Sequence, residues 1–124
     1  LKNRGKFYAE SKYFYEILNN FDHVFIVAKK DGEFVSGTVF IPFRERVVAW
    51  VGNPKPKVHV SGINDLILWR GIEWAIDNGY KEFEIEGAGE RPLFLFKARF
   101  NGKLLLFIVA KHQSKIYKIL KLLV

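Results

Sequence analysis

The chain contains no cysteine among its 124 residues. That absence removes disulfides, thiolate zinc sites, iron–sulfur clusters and cysteine nucleophiles together. Histidine is nearly as scarce, with His23, His59 and His112 scattered along the chain, so no metal-ligand cluster is visible and a metal-free protein is expected. Long apolar runs are missing as well. The longest, residues 104–110, falls far short of the roughly 20 residues that span a bilayer. The basic residues 1–6 are followed by no apolar stretch of the kind a secretory leader carries. A cytoplasmic protein without a transmembrane segment is the expectation. Methionine is absent too, and the sequence therefore reads as a piece of a longer chain, its C-terminal part.

What is present belongs to one globular domain spanning 1–124, since 49% of the residues are apolar and 27% charged. Twenty basic against thirteen acidic residues leave a net charge of +7. Such a balance favours anionic partners: nucleotides, phosphates, RNA or membrane headgroups.

The first periodic segment places Phe14, Ile17, Leu18 and Phe21 on one helical face, with Ser11 as N-cap. A β-rich run over 23–29 and another over 34–41 flank Asp31-Gly32, a strong hairpin signal. Pro42 is expected to end the second strand, and 47–51 to form a third strand of the same meander. Two prolines, Pro54 and Pro56, carry a loop to Gly62. Residues 63–78 then read as a helix stopped by Gly79, packed on more than one side, with Leu68, Ile72, Ala75 and Ile76 on its dry face and Trp69 and Trp74 in the core. Strict alternation over 82–86 puts Phe83 and Ile85 toward a core and Glu82, Glu84 and Glu86 on the opposite face. A short helix with Pro92, Leu93, Phe96 and Phe100, a turn at Asn101-Gly102, a strand over 103–110 and a closing helix with Ile116, Ile119, Leu120 and Leu123 complete the order.

That order predicts a layered α+β (α/β) fold. Its sheet is mixed and mostly antiparallel, with one locally parallel pair where the long helix returns the chain between the third and fourth strands. The crevice of a parallel pair opens at the carboxyl ends of its strands. Here those ends are Trp50-Val51-Gly52 and Glu84-Ile85-Glu86-Gly87.

Three segments in this order carry a resemblance. Gly62-Ile63-Asn64-Asp65-Leu66-Ile67-Leu68-Trp69 leads into Ile72-Glu73-Trp74-Ala75 and Asn78-Gly79-Tyr80; Phe83-Glu84-Ile85-Glu86-Gly87 follows; then comes Phe96-Lys97-Ala98-Arg99-Phe100-Asn101-Gly102. Together they resemble the GNAT-like acyltransferases of the FemAB type. The resemblance implies the GNAT (acyl-CoA N-acyltransferase) fold and transfer of an acyl or aminoacyl group to an amine. The donor it implies is acyl-coenzyme A or aminoacyl-tRNA, neither tightly bound. Coenzyme A-binding GNATs carry a glycine-rich segment before the long helix, whereas residues 57–62 hold one glycine, so both donors stay open. A missing leading strand and helix fit the second of two fused GNAT-like halves, with a partner domain or an oligomer completing it.

The resemblance assigns Lys97 to the acyl-transfer site, where an ammonium can counter charge developing on an oxyanion. Its ordinary use is to cover Phe96 and Phe100 with its stem. Glu84 and Glu86 share a strand face at the crevice, and either can relieve the attacking amine of its proton; as a solvated edge they would merely balance nearby lysines. Gly62 and Asn64 open the long helix, whose free N–H groups can hold a phosphate with help from Lys55 and Lys57, or simply be capped by Ser61 or Asn64. Trp50 ends a strand beside the proline loop as a ligand platform, and Val51 and Gly52 continue its wall. His59 is an unpartnered base candidate in that loop. Lys111, Lys115 and Lys118 line one face of the closing helix, which suits tRNA or a partner domain in a non-catalytic alternative.

Overall fold

The computed structural model describes residues 11–52, 60–87, 91–106 and 108. Helix α1 (Ser11–Asn20) leads into strands β1 (Val24–Lys30), β2 (Glu33–Phe43) and β3 (Arg46–Gly52). Helix α2 (Ile63–Asp77), strand β4 (Glu82–Ile85) and helix α3 (Arg91–Ala98) follow. The four strands form one sheet in the order β1-β2-β3-β4. The first two junctions are antiparallel and β3 runs parallel to β4, the mixed layered α+β arrangement that the pattern predicts. Within the described residues this parallel pair lies at one side of the sheet.

Local chemistry accounts for the turns. Asp31 and Gly32 take φ of 51° and 84°, the left-handed pair that a two-residue hairpin loop needs to match the twist of its strands. Pro42 does not end β2: it pairs with Val47. Pairing of β1 with β2 stops at Val24↔Phe40, so Pro42 lies where β2 has no partner on its β1 side and the missing N–H costs no ladder bond.

The core lies between the sheet and α2. Phe40, Val47, Ile67, Leu68 and Ala75 form its buried cluster, and Phe83, Ile85, Phe96 and Phe100 pack against it. Contrary to expectation α2 is dry on one side only, with Leu66, Trp69 and Ile76 exposed by 51%, 52% and 67%. Trp74 stacks on Tyr80, but Trp69 is no core residue. Its Nε1 donates to Glu73 Oε1 at 2.9 Å instead. Gly79 takes φ 79° after α2, the helix stop that the sequence predicts. The strand expected over 103–110 is not formed in residues 102–106 or at 108. The closing helix expected to carry Lys111, Lys115 and Lys118 falls outside the described residues, as do Lys55, Lys57 and His59.

Candidate active site

The register of the sheet opens a cleft at the end of the parallel pair. Between β2 and β3, Val39 pairs with Val51 but Phe40 pairs with Ala49, so Trp50 is the extra residue of a β-bulge. A bulge kinks a strand and re-aims the side chain it displaces. On the other side of β3, pairing with β4 ends at Ala49↔Ile85. Trp50, Val51 and Gly52 therefore run on without a β4 partner, while the chain beyond Ile85 leaves the sheet through Gly87 at φ 75°. The space between the diverging strands is a cleft of about 570 Å³ lined by Ala49, Trp50, Glu84, Glu86 and Gly87.

Three of the residues singled out in the sequence thus share one cleft. Trp50 is braced from α1, with ring centroids 5.7 Å from Phe14 and 6.4 Å from Tyr13, contacts that no sequence pattern announced. Gly52 is needed for packing, because a Cβ there would collide with Thr38.

The two glutamates differ. Arg46, opposite β4 on β3, donates to Glu82 Oε2 from Nε at 3.0 Å and from Nη2 at 2.6 Å, and to Glu84 Oε2 from Nη1 at 3.0 Å. Its side-chain hydrogen bond to Glu82, then that carboxylate's charge and the weaker pull of Glu84, raise the Arg46 pKa further. Glu84 is thus held at the cleft wall by a cation. Glu86 extends past the clamp, beyond the last ladder pair.

Lys97 reaches the same rim from the last turn of α3. Its Nζ donates to the main-chain carbonyl of Glu86 and, at 2.5 Å, to that of Gly87. Partial burial lowers the Lys97 pKa and the Glu86 carboxylate pulls it back up. With burial dominant, the folded protein holds this proton less tightly than the unfolded chain, so unfolding takes up protons just below pH 10.5. The contribution is fully present above that pH and is lost as pH falls through the lowered pKa. Melting curves should accordingly show the difference between wild type and Lys97→Met shifting in favour of wild type as pH rises toward 10.5.

Gly62 and Asn64 lie at the start of α2, apart from the residues that line this cleft. Gly62 takes φ 76° with open space where a Cβ would stand and no side-chain cap, and Asn64 Oδ1 is buried without a hydrogen-bond partner. A second cavity of about 600 Å³ opens beside them, lined by Asp65, Leu66, Trp69, Arg99, Phe100 and Asn101. There Arg99 pairs with Asp65 at 3.1 Å and lies over the Phe96 ring. Neither Arg99 nor Arg46 stands out in the sequence as a site residue, because the carboxylates they pair with, Glu82 and Glu84 for Arg46 and Asp65 for Arg99, meet them only through the tertiary fold. Among the described residues no group of acidic or histidine side chains is placed to hold a metal, and no helix is long and apolar enough to cross a membrane.

Comparison with known proteins gives the family and the fold. Residues 11–93 match the acetyltransferase (GNAT) domain family. The chain belongs to that family. This GNAT domain is an acyltransferase, with the GNAT-like fold of its structural neighbours. A Pyrococcus furiosus protein assigned as an acetyl transferase superposes with a TM-score of 0.73 at 17% identity, over 82% of this chain and 73% of that one. The aminoglycoside N-acetyltransferase AAC(6')-Iy in complex with coenzyme A gives 0.59 at 13% identity, over 84% of each chain. An aminoglycoside acetyltransferase from an uncultured soil metagenomic sample, in complex with sisomicin, gives 0.66 at 12% identity, over 90% of this GNAT domain and 80% of its own chain. No curated protein sequence matches it.

Proposed function

We propose that the domain transfers an acyl group from acyl-coenzyme A to a primary amine in the cleft between β3 and β4. The observation that carries this reading is the splay itself. The Trp50 bulge and the end of the β3–β4 ladder leave main-chain groups of Trp50, Val51 and Gly52 without β4 partners, free to bond the amide-bearing arm of an extended donor as a further strand would. The amine nitrogen forms a bond to the thioester carbonyl carbon, the carbonyl oxygen takes the negative charge, and the carbon–sulfur bond then breaks to release the thiolate, which is protonated by solvent. Glu86 takes the proton the amine must lose. It is preferred to Glu84 because Arg46 already occupies Glu84. Gly62 and Asn64, at the α2 N-terminus, are the proposed contacts for the anionic end of the donor.

Coenzyme A in the structural neighbours supports this donor, and an aminoglycoside in another supports an amine acceptor. The FemAB-like subtype, with aminoacyl-tRNA as donor, rests on the order of the Gly62 to Tyr80, Phe83 to Gly87 and Phe96 to Gly102 segments. The non-catalytic alternative, a GNAT-like half binding tRNA or a partner domain, rests on the net charge of +7, on the single glycine of residues 57–62 and on lysines outside the described residues.

The absence of cysteine makes the test direct, since any thiol released in the reaction comes from coenzyme A. Incubation with acetyl-coenzyme A and a panel of amines (an aminoglycoside, a polyamine and a peptide α-amine) should release thiol in proportion to enzyme. Acetyl-coenzyme A alone should raise the melting temperature saturably. A folded chain that neither binds acetyl-coenzyme A nor releases thiol would overturn the reading.

A further inference from the structure

We propose that Lys97 is a positioning residue: its ammonium fastens the chain segment that leaves β4 and so sets where the Glu86 carboxylate stands in the cleft. The catalytic consequence rests on the acyl-transfer reading above; the fastening does not.

The segment needs fastening because the ladder stops short of it. The last β4 residue paired to β3 is Ile85, so the carbonyls of Glu86 and Gly87 lie past the sheet's own hydrogen bonds. Gly87 then turns the chain at φ 75°, a conformation that glycine adopts without the penalty other residues meet. A segment with a glycine hinge and no ladder partner is free to swing unless another element holds it. Lys97 supplies that hold from α3, donating to both carbonyls. Hydrogen bonds from an ionised donor are roughly twice as strong as neutral ones, which suits a tie made across an exposed rim.

Two of the three donors of the ammonium are spent on main-chain oxygens. That geometry differs from an oxyanion partner, whose donors must aim at the reacting atom. Nζ is partly buried, which lowers its pKa, as expected of an ammonium turned into the protein. The cleft is lined by Glu86 and Gly87, the residues whose carbonyls the lysine grips. The influence of Lys97 on the chemistry therefore passes through Glu86.

Lys97→Met, Lys97→Arg, Glu86→Gln and the double variant Lys97→Met/Glu86→Gln separate the possibilities. With acetyl-coenzyme A and whichever amine of the panel is turned over, Lys97→Met should lower kcat by about 10- to 100-fold, the cost of a misplaced catalytic group. The KM for acetyl-coenzyme A should hardly change. Lys97→Arg, which can still donate to two carbonyls, should recover most of the loss. In the Glu86→Gln background the Lys97→Met change should have almost no further effect, because residues that act as one unit are not additive. Additive losses would overturn the proposal by placing Lys97 on the reacting atoms independently of Glu86; so would unchanged kcat with only a lower melting temperature.

The fastening itself is read without any turnover. In 15N-lysine-labelled protein the Lys97 ammonium protons should exchange with water more slowly than those of the exposed Lys30 and Lys103. Exchange as fast as theirs would overturn the tie whatever the activity. Slow exchange in a chain that transfers no acyl group would leave the tie in place and overturn the acyl-transfer reading alone.

Discussion

Replacing Glu86 by glutamine is expected to lower kcat for acetyl transfer by roughly 10²- to 10⁴-fold, the usual contribution of a positioned general base. The substitution keeps the size and hydrogen-bonding shape of the side chain and removes its capacity to take a proton from the attacking amine. Binding of acetyl-coenzyme A should be almost untouched, since the proposed donor contacts are main-chain groups of β3 and residues at the α2 N-terminus. Glu84→Gln provides the contrast. Glu84 lies in the same cleft but already accepts from Arg46, and an exposed ion pair of that kind contributes little because water screens it. Its loss should therefore change kcat far less than the loss of Glu86. Steady-state kinetics on the two variants decide the matter: equal losses would mean that the Arg46 clamp, not the Glu86 carboxylate, sets the rate, and a fully active Glu86→Gln would remove Glu86 from the mechanism.

The contrast between these glutamates also shows what could be read from one dimension. Strict alternation over 82–86 was enough to place Phe83 and Ile85 on the core side and the glutamates on the other, because strand periodicity is a local property. Ranking Glu84 below Glu86 needed Arg46, which is 38 residues from Glu84 in sequence and meets it only because β3 and β4 run parallel in register. The hairpin at Asp31-Gly32 and the helix stop at Gly79 were legible for the same local reason. Pro42 continues β2, against what its residue type implies, because its tolerance depends on where β1 ends, a fact about a neighbouring strand. Trp69 and Ile76 were misplaced because apolar residues around a helix do not say how many of its sides are covered. The place of the crevice, at the strand ends 50–52 and 84–87, was legible from the parallel pair, but the shape of its opening at Trp50 was not. It follows from a one-residue mismatch of register between β2 and β3 combined with the early end of β4, neither of which leaves a mark in composition or period.

Phe40 is where the largest loss of stability is expected. Its ring is fully buried and sits at the centre of the cluster that joins β2 to α2. Truncation of such a side chain to alanine removes its transfer free energy and leaves a cavity, together about 3–5 kcal/mol. That is a large part of the roughly 5–15 kcal/mol that holds a domain folded. Phe40→Ala should therefore melt well below wild type or fail to fold. A gentler and more specific test uses Gly71, the point on α2 against which the ring lies. A Cβ added at Gly71 would stand 2.5 Å from Phe40 Cε1 and 2.6 Å from Cζ, closer than atoms tolerate, and the buried ring has no open side to move toward. Gly71→Ala gains up to about 1 kcal/mol of helix propensity but overpacks the contact at a cost of about 1–3 kcal/mol, so the net effect should be destabilising. Phe40→Leu, which shortens the ring side chain, should relieve that clash. Denaturant titration of the four proteins should then show the double variant more stable than the sum of the two single losses allows, the signature of residues in direct contact. A Gly71→Ala protein more stable than wild type would show instead that α2 stands farther from the sheet. The same contact bears on the cleft, because Phe40 pairs with Ala49, the β3 residue immediately before the Trp50 bulge. A β2 strand that is loosened at Phe40 no longer fixes the bulge that opens the site, and acyl transfer should weaken in Phe40→Leu at temperatures where the domain is still folded.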